Sequence, residues 1–285
     1  LPETSIYPVR FSGDDSNTKN PDLNFPVPGM SDVMPYPSSV WSTLDEAQLA
    51  NYRNIWRQHL TRIIEVFQPD LIHSNHIWLV SSLIKDVAPD IPVVTTCHAT
   101  GLRQLKLTPN LAAEVIAGCA RNDHFLVLRQ DHASDLATSL AIPKNRITVC
   151  GVGFRDEVFC PSPSSDNQVA KDLLYVGKFS NAKGLPQLLG AFVSLTRRWP
   201  RLRLHVAGNG SGPEAEKIRT RMQNLHPEVV MHGMLDQENL ANLMQKCRVC
   251  VLPSFYEGVP LVLVEAAACG CTLVSTALPG VLEQI

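Results

Sequence analysis

Short apolar stretches alternate with stretches of helical periodicity along most of this chain, and no other feature restricts its fold as much. Strand-like runs at Asp70–His73, Val93–Cys97 and Phe125–Leu128 are each followed by a helical pattern, at Val80–Val87, Leu105–Ala120 and Asp131–Leu140. The alternation restarts with strands expected at Leu173–Val176, Leu202–Ala207, Val229–His232, Val249–Leu252 and Thr272–Ser275. Helices are expected between them, at Pro186–Arg198, Pro213–Leu225, Gln237–Cys247 and Pro260–Cys269. Parallel βαβ units produce this pattern, because two parallel strands need a crossover long enough to hold a helix. Between the two runs lies Cys160–Gln168, CPSPSSDNQ, polar, proline-bearing and without period, which reads as a linker. The expected fold class is α/β, with two doubly wound Rossmann-like domains, 1–162 and 163–285, facing across a cleft. Ahead of them a strand is expected at Ile6–Phe11, then a long polar loop, then one amphipathic helix over Thr43–Phe67.

The 285 residues suffice for two domains of ordinary size. A formal net charge of -2, with 18% charged residues, supplies no field that would draw the chain onto nucleic acid. No apolar run reaches the ~18 residues of a membrane span, and the first residues lack the order of a signal peptide. The expectation is a cytoplasmic protein, with peripheral membrane association left open. The eight cysteines are scattered, as reduced thiols packed like small apolar groups would be. Cys247 and Cys250 have C-x-x-C spacing, yet no second pair or histidine pair stands at zinc-finger distance.

In an open parallel sheet, ligands bind beyond the carboxyl ends of the strands, so the loops there carry the candidate chemistry. After the strand at Leu173 comes GKFSNAKG, placing Lys178 and Lys183 at a strand-to-helix turn with Gly177 and Gly184 beside them. Two ammonium groups at a helix N-terminus suit a diphosphate. After Leu202–Ala207 comes Gly208-Asn209-Gly210-Ser211-Gly212, whose third glycine arrives too soon for a dinucleotide G-x-G-x-x-G. Such a turn is also the ordinary solution to a tight bend. In SFYEGVPLVLVEAAACG, Ser254–Gly270, Glu257 sits in a loop, Pro260 suits a first helical turn, and Glu265 lies within an apolar helix. Burying a carboxylate there without partners is expensive, so Glu265 either faces solvent or serves a ligand. Carboxylates are good acceptors for sugar hydroxyls.

From Leu173 onward the chain resembles the C-terminal domain of the family 4 glycosyltransferases, retaining enzymes of the GT-B fold with an E-x7-E motif. The likeness rests on GKFSNAKG, AGNGSGPE, VVMHGML, VLPSFYEGVPLVLVEAAACG and STALPGVLEQI, in that order. PDLIHSN, VVTTCHATG and ITVCGVGFRDEVFCP resemble the acceptor-side domain less strongly. The resemblance implies that Glu257 faces the donor sugar, that Glu265 holds the ribose hydroxyls and that Lys183 neutralises the diphosphate. It implies a donor site completed by Lys178, Gly208, Gly210, Gly233, Met234, Gly258, Val259, Pro260 and Leu261, and a sugar-facing histidine at His98. Lys178 stands where the family commonly has arginine, and Gly153 where it often has aspartate. By the family pattern the chain is expected to be truncated at both ends, with a weakened ability to transfer.

The function implied is transfer of a sugar, of hexosyltransferase type, in carbohydrate biosynthesis. The donor would be a UDP-, GDP- or ADP-linked sugar, and the hydroxyl acceptor is unnamed. No cofactor and no metal are expected, and no D-x-D motif occurs. A non-catalytic sugar-nucleotide-binding protein and a GT-B epimerase or phosphorylase remain as alternatives. A nicotinamide oxidoreductase would need the glycine fingerprint that is missing.

Overall fold

The computed structural model describes residues 5–13, 20–30, 34, 36–162, 170–225 and 227–283. They form two compact units, Leu1–Gly151 and Val152–Ile285. The expected boundary at 162/163 adjoins 163–169, and the expected linker Cys160–Gln168 falls mostly on them, outside the described residues. Phe159 is 1% exposed within the core of the second unit, beside Leu174 and Tyr175. Burial of that ring ties the segment before the linker to the second unit.

The first unit holds a parallel sheet in the order β1-β2-β3-β4, from β1 (Ile72–Asn75), β2 (Val93–Cys97), β3 (His124–Val127) and β4 (Ile147–Val149). Helix α1 (Glu46–Phe67) starts at a capping box, with Asp45 accepting from Gln48 N and the Gln48 side chain accepting from Asp45 N. Then come α2 (Leu79–Val87), α3 (Ala99–Leu107), α4 (Pro109–Cys119) and α5 (Gln130–Leu140). The single helix expected over Leu105–Ala120 is two. Pro109 drives Thr108 out of the helical region, to φ -129 and ψ 67, so α3 ends there and α4 begins with the proline in its first turn.

The strand expected at Ile6–Phe11 does not form. Phe11 makes one isolated bridge to Leu23, and Ile6 is 81% exposed. Without a neighbouring strand to pair with, its apolar residues pack as loop anchors, Val9 and Phe11 against a core that includes Leu23, Phe25, Trp41 and Tyr52. Trp41 meets Tyr52 and Trp78 edge-on, with ring centroids 5.3 and 5.6 Å apart.

The second unit is a five-stranded parallel sheet of β5 (Ala170–Val176), β6 (Leu204–Ala207), β7 (Val229–Gly233), β8 (Cys247–Leu252) and β9 (Thr272–Ser275), in the order β7-β6-β5-β8-β9. Its helices are α6 (Leu185–Thr196), α7 (Gly212–Asn224), α8 (Gln237–Lys246), α9 (Leu261–Ala268) and the short α10 (Pro279–Leu282). The winding direction reverses between β5 and β8. At such a reversal the helical connections leave toward opposite faces of the sheet, the position at which open α/β sheets take ligands beyond their carboxyl ends. Every cysteine is a free thiol, and Cys97, Cys119, Cys247, Cys250, Cys269 and Cys271 are buried. Burial pushes the Cys247 thiol up to about 12, as for a packing group rather than a reactive one.

Close helix packing in the first unit yields a test. A Cβ on Gly118 of α4 would stand 2.5 Å from the Ser82 carbonyl oxygen of α2. Gly118→Ala is expected to cost about 1–3 kcal/mol by overpacking, against a helix-propensity gain of ~1 kcal/mol. Gly190→Ala in α6, where the nearest atom is 3.6 Å away, should be neutral or stabilising. Urea unfolding midpoints of both variants give the comparison.

Candidate functional site

The loops beyond β5, β6, β7 and β8 are joined by backbone hydrogen bonds. Gly177 N donates to Ala207 O at 3.0 Å, Phe179 N to Asn209 O at 3.0 Å, and Gly208 N to Gly233 O at 2.7 Å. Phe255 N donates to Ala182 O at 2.9 Å, linking the loop after β8 to the loop after β5. Two glycines permit this closeness. Gly184 has φ +68, and a Cβ there would lie 1.9 Å from Pro253 O; Gly208 has φ +128, and a Cβ would lie 2.0 Å from Gly177 O. Arg219 of α7 donates to Asn209 Oδ1 at 2.9 Å and Gly210 O at 3.1 Å, which fixes the glycine-rich turn from behind. No local pattern in the sequence marks Arg219 for this task.

Lys183 ends a short 3-10 turn, Asn181–Lys183, just before α6, and Glu257 lies in the loop between β8 and α9. Lys183 Nζ and Glu257 Oε1 are 2.7 Å apart, with side chains 29% and 11% exposed. The structure therefore brings these two candidates together at the reversal of the sheet. Lys178 is exposed, and its backbone carbonyl accepts from the Tyr175 hydroxyl at 2.8 Å. Gly208 and Gly210 lie on the same arc, Gly210 within 3 Å of the Phe179 side chain were it to carry a Cβ. Gly233 ends β7 and Met234 follows it, 74% exposed.

Pro260 is the residue capping α9 rather than part of its first turn, and Leu261 opens the helix, 45% exposed. Gly258 and Val259 are half-buried in the approach to it. Glu265, inside α9, is half-buried, and burial alone raises its carboxyl above the usual range. A group in that state gains from a hydroxyl donor. Ser254, which the sequence reading passed over, is 1% exposed with an Oγ that has no hydrogen-bond partner among the described residues.

The first unit gathers histidines at the carboxyl ends of β1 and β2. His98 is the residue before α3, its Nε2 3.3 Å from Asn75 Oδ1 and its ring centroid 4.6 Å from that of His76. His76 holds a left-handed backbone, φ 67, rare for a residue with a Cβ. Its Nδ1 is 3.2 Å from Thr100 Oγ1. Burial, then the neighbouring His98, lowers His76 to about 4, and burial, then His73, lowers His98. His76 was missed in the sequence, where three histidines at strand ends (His73, His76 and His98) were the available signal.

Residues 162–285 match the family model described as Glycosyl transferases group 1, and residues 38–158 the model described as Glycosyltransferase Family 4. Glycogen synthase of Mycobacterium tuberculosis is 30% identical over 227 residues, 77% of this chain and 55% of that protein. N-acetyl-alpha-D-glucosaminyl L-malate synthase of Bacillus anthracis is 27% identical over 203 residues, 68% of this chain and 52% of that protein. The chain spans about half the length of these curated relatives. Among solved structures, Anabaena HepE in complex with UDP and glucose superposes with a TM-score of 0.65 at 17% identity, over 88% of this chain and 70% of that one. Sucrose-phosphate synthase from Thermosynechococcus elongatus gives 0.62 at 21% identity, over 84% and 63%. Among the described residues no helix is long and apolar enough to cross a membrane.

The histidine cluster is expected to make stability depend on pH. His76 is lowered in the folded state, so between about pH 6.5 and about 4 the unfolded chain binds a proton that the folded chain does not. Stability is unaffected by this group above that window and falls as pH drops through it. Asparagine tolerates positive φ, so His76→Asn keeps the turn and removes the titration. Melting temperatures from pH 7 to 4 should decline less steeply in the variant than in the parent.

Proposed function

We propose that the chain, whose two parts match glycosyltransferase family models and which has the GT-B fold class, carries the donor site of a retaining, metal-independent hexosyltransferase. The observation that carries the reading is the meeting of Lys183 and Glu257 at the reversal between β5 and β8. A cation beside the N-terminus of α6 suits a diphosphate, and a carboxylate next to it suits sugar hydroxyls. Lys178 adds a second positive charge on the same loop. Glu265, raised by burial, accepts from the ribose hydroxyls. His98 carries over from the resemblance as a sugar-facing group.

In this reading the bond from the anomeric carbon to the diphosphate oxygen breaks, and the leaving oxygen takes up negative charge. Lys183, Lys178 and the helix terminus stabilise that charge in place of a metal ion. The acceptor hydroxyl forms the new bond on the same face, and its proton passes to the departing phosphate oxygen. UDP is the first nucleotide to try, since the Anabaena HepE structures hold UDP and UDP-glucose.

Calorimetry with UDP, GDP and ADP in the presence of EDTA tests the site, with binding of at least one expected to survive chelation. Binding that vanishes with EDTA would overturn the metal-free reading. Glu265→Gln is expected to weaken nucleotide binding by about 1.5–3 kcal/mol, as for a lost charged hydrogen bond. Glu257→Gln should mainly lower turnover.

A further inference from the structure

Lys183 and Glu257, assigned above to two different parts of one donor, are bound to each other at 2.7 Å. Their loops are tied to each other on either side of the contact. Phe255 N is hydrogen-bonded to Ala182 O, one residue from Lys183 and two from Glu257, and Gly184 packs directly against Pro253 O. In the empty site the two side chains therefore stand within reach of each other, and they are paired. A diphosphate entering the site must draw the Lys183 ammonium toward itself, and Glu257, 11% exposed, loses its counter-ion.

What happens next depends on the ligand. A nucleotide sugar brings hydroxyl donors that replace the ammonium at Glu257. A bare nucleoside diphosphate brings none, and it leaves a largely buried carboxylate uncompensated near added negative charge. On the donor-site reading above, we infer that Glu257 is a specificity-determining residue: through its pair with Lys183 it disfavours the bare nucleoside diphosphate relative to the nucleotide sugar. Because the nucleoside diphosphate is the product left after transfer, the same device hastens its departure.

The test is calorimetric titration of the parent chain, Glu257→Gln and Glu257→Asn with UDP, GDP and ADP and with their glucose conjugates. Glu228→Gln serves as the control, since it removes one negative charge just before β7, at the opposite end of the sheet. Both Glu257 variants are expected to bind the nucleoside diphosphate about tenfold more tightly, equivalent to ~1.4 kcal/mol. The glucose conjugate should not share the gain, and the control should change neither affinity. Unchanged or weaker diphosphate binding in both Glu257 variants, or an equal gain in Glu228→Gln, overturns the inference while leaving the donor site standing. Failure of the parent chain to bind any of the three nucleotides overturns the site and the inference together. Melting curves of each variant confirm that folded protein is being titrated.

Discussion

The close approach of Gly184 to Pro253 is the contact on which the second unit's candidate site depends. Strand order places β5 beside β8, yet it leaves the loops beyond them free to splay apart. A carbonyl oxygen occupying the place of a Cβ, and the Phe255 to Ala182 hydrogen bond, hold them together. With the backbones so fixed, a lysine and a glutamate 74 residues apart in the chain meet at hydrogen-bond distance. Gly208 does the same for the loops beyond β5 and β6, where the Gly177 carbonyl excludes any side chain.

The alternation of strands and helices was legible because each element announces itself through local periodicity and nearby turn residues. Among the described residues, eight of the nine strands begin or end within a few residues of their expected places; β4 was not expected, and Ile6–Phe11, expected as a strand, has no partner strand. Ile6–Phe11 shows why: an apolar stretch is a local property, whereas a strand needs a neighbour far away in the chain. The break at Thr108 was locally encoded by Pro109 and could have been read. Burial of Phe159 could not, since nothing in FRDEVFC says which of two cores will receive the ring.

The candidate residues divide along the same line. Glu257, Lys183 and the glycines were legible as residue types in loops beyond strands, but their pairing was not, because it is a contact between distant loops. The left-handed backbone of His76 is likewise invisible in the sequence, where asparagine or glycine is the usual sign of such a turn. Its ring is held between Thr100 and His98, so two elements that are separate in sequence share one polar cluster.

The buried thiols have a consequence for anyone handling the protein. Four cysteines of the second unit, Cys247, Cys250, Cys269 and Cys271, are sealed in or against its core, while Cys150 of the first unit is exposed. An alkylating reagent meets Cys150 first and reaches the four only when the sheet opens. Mass-resolved labelling over time thus separates surface modification from loss of the second core, with the native residues serving as their own clock.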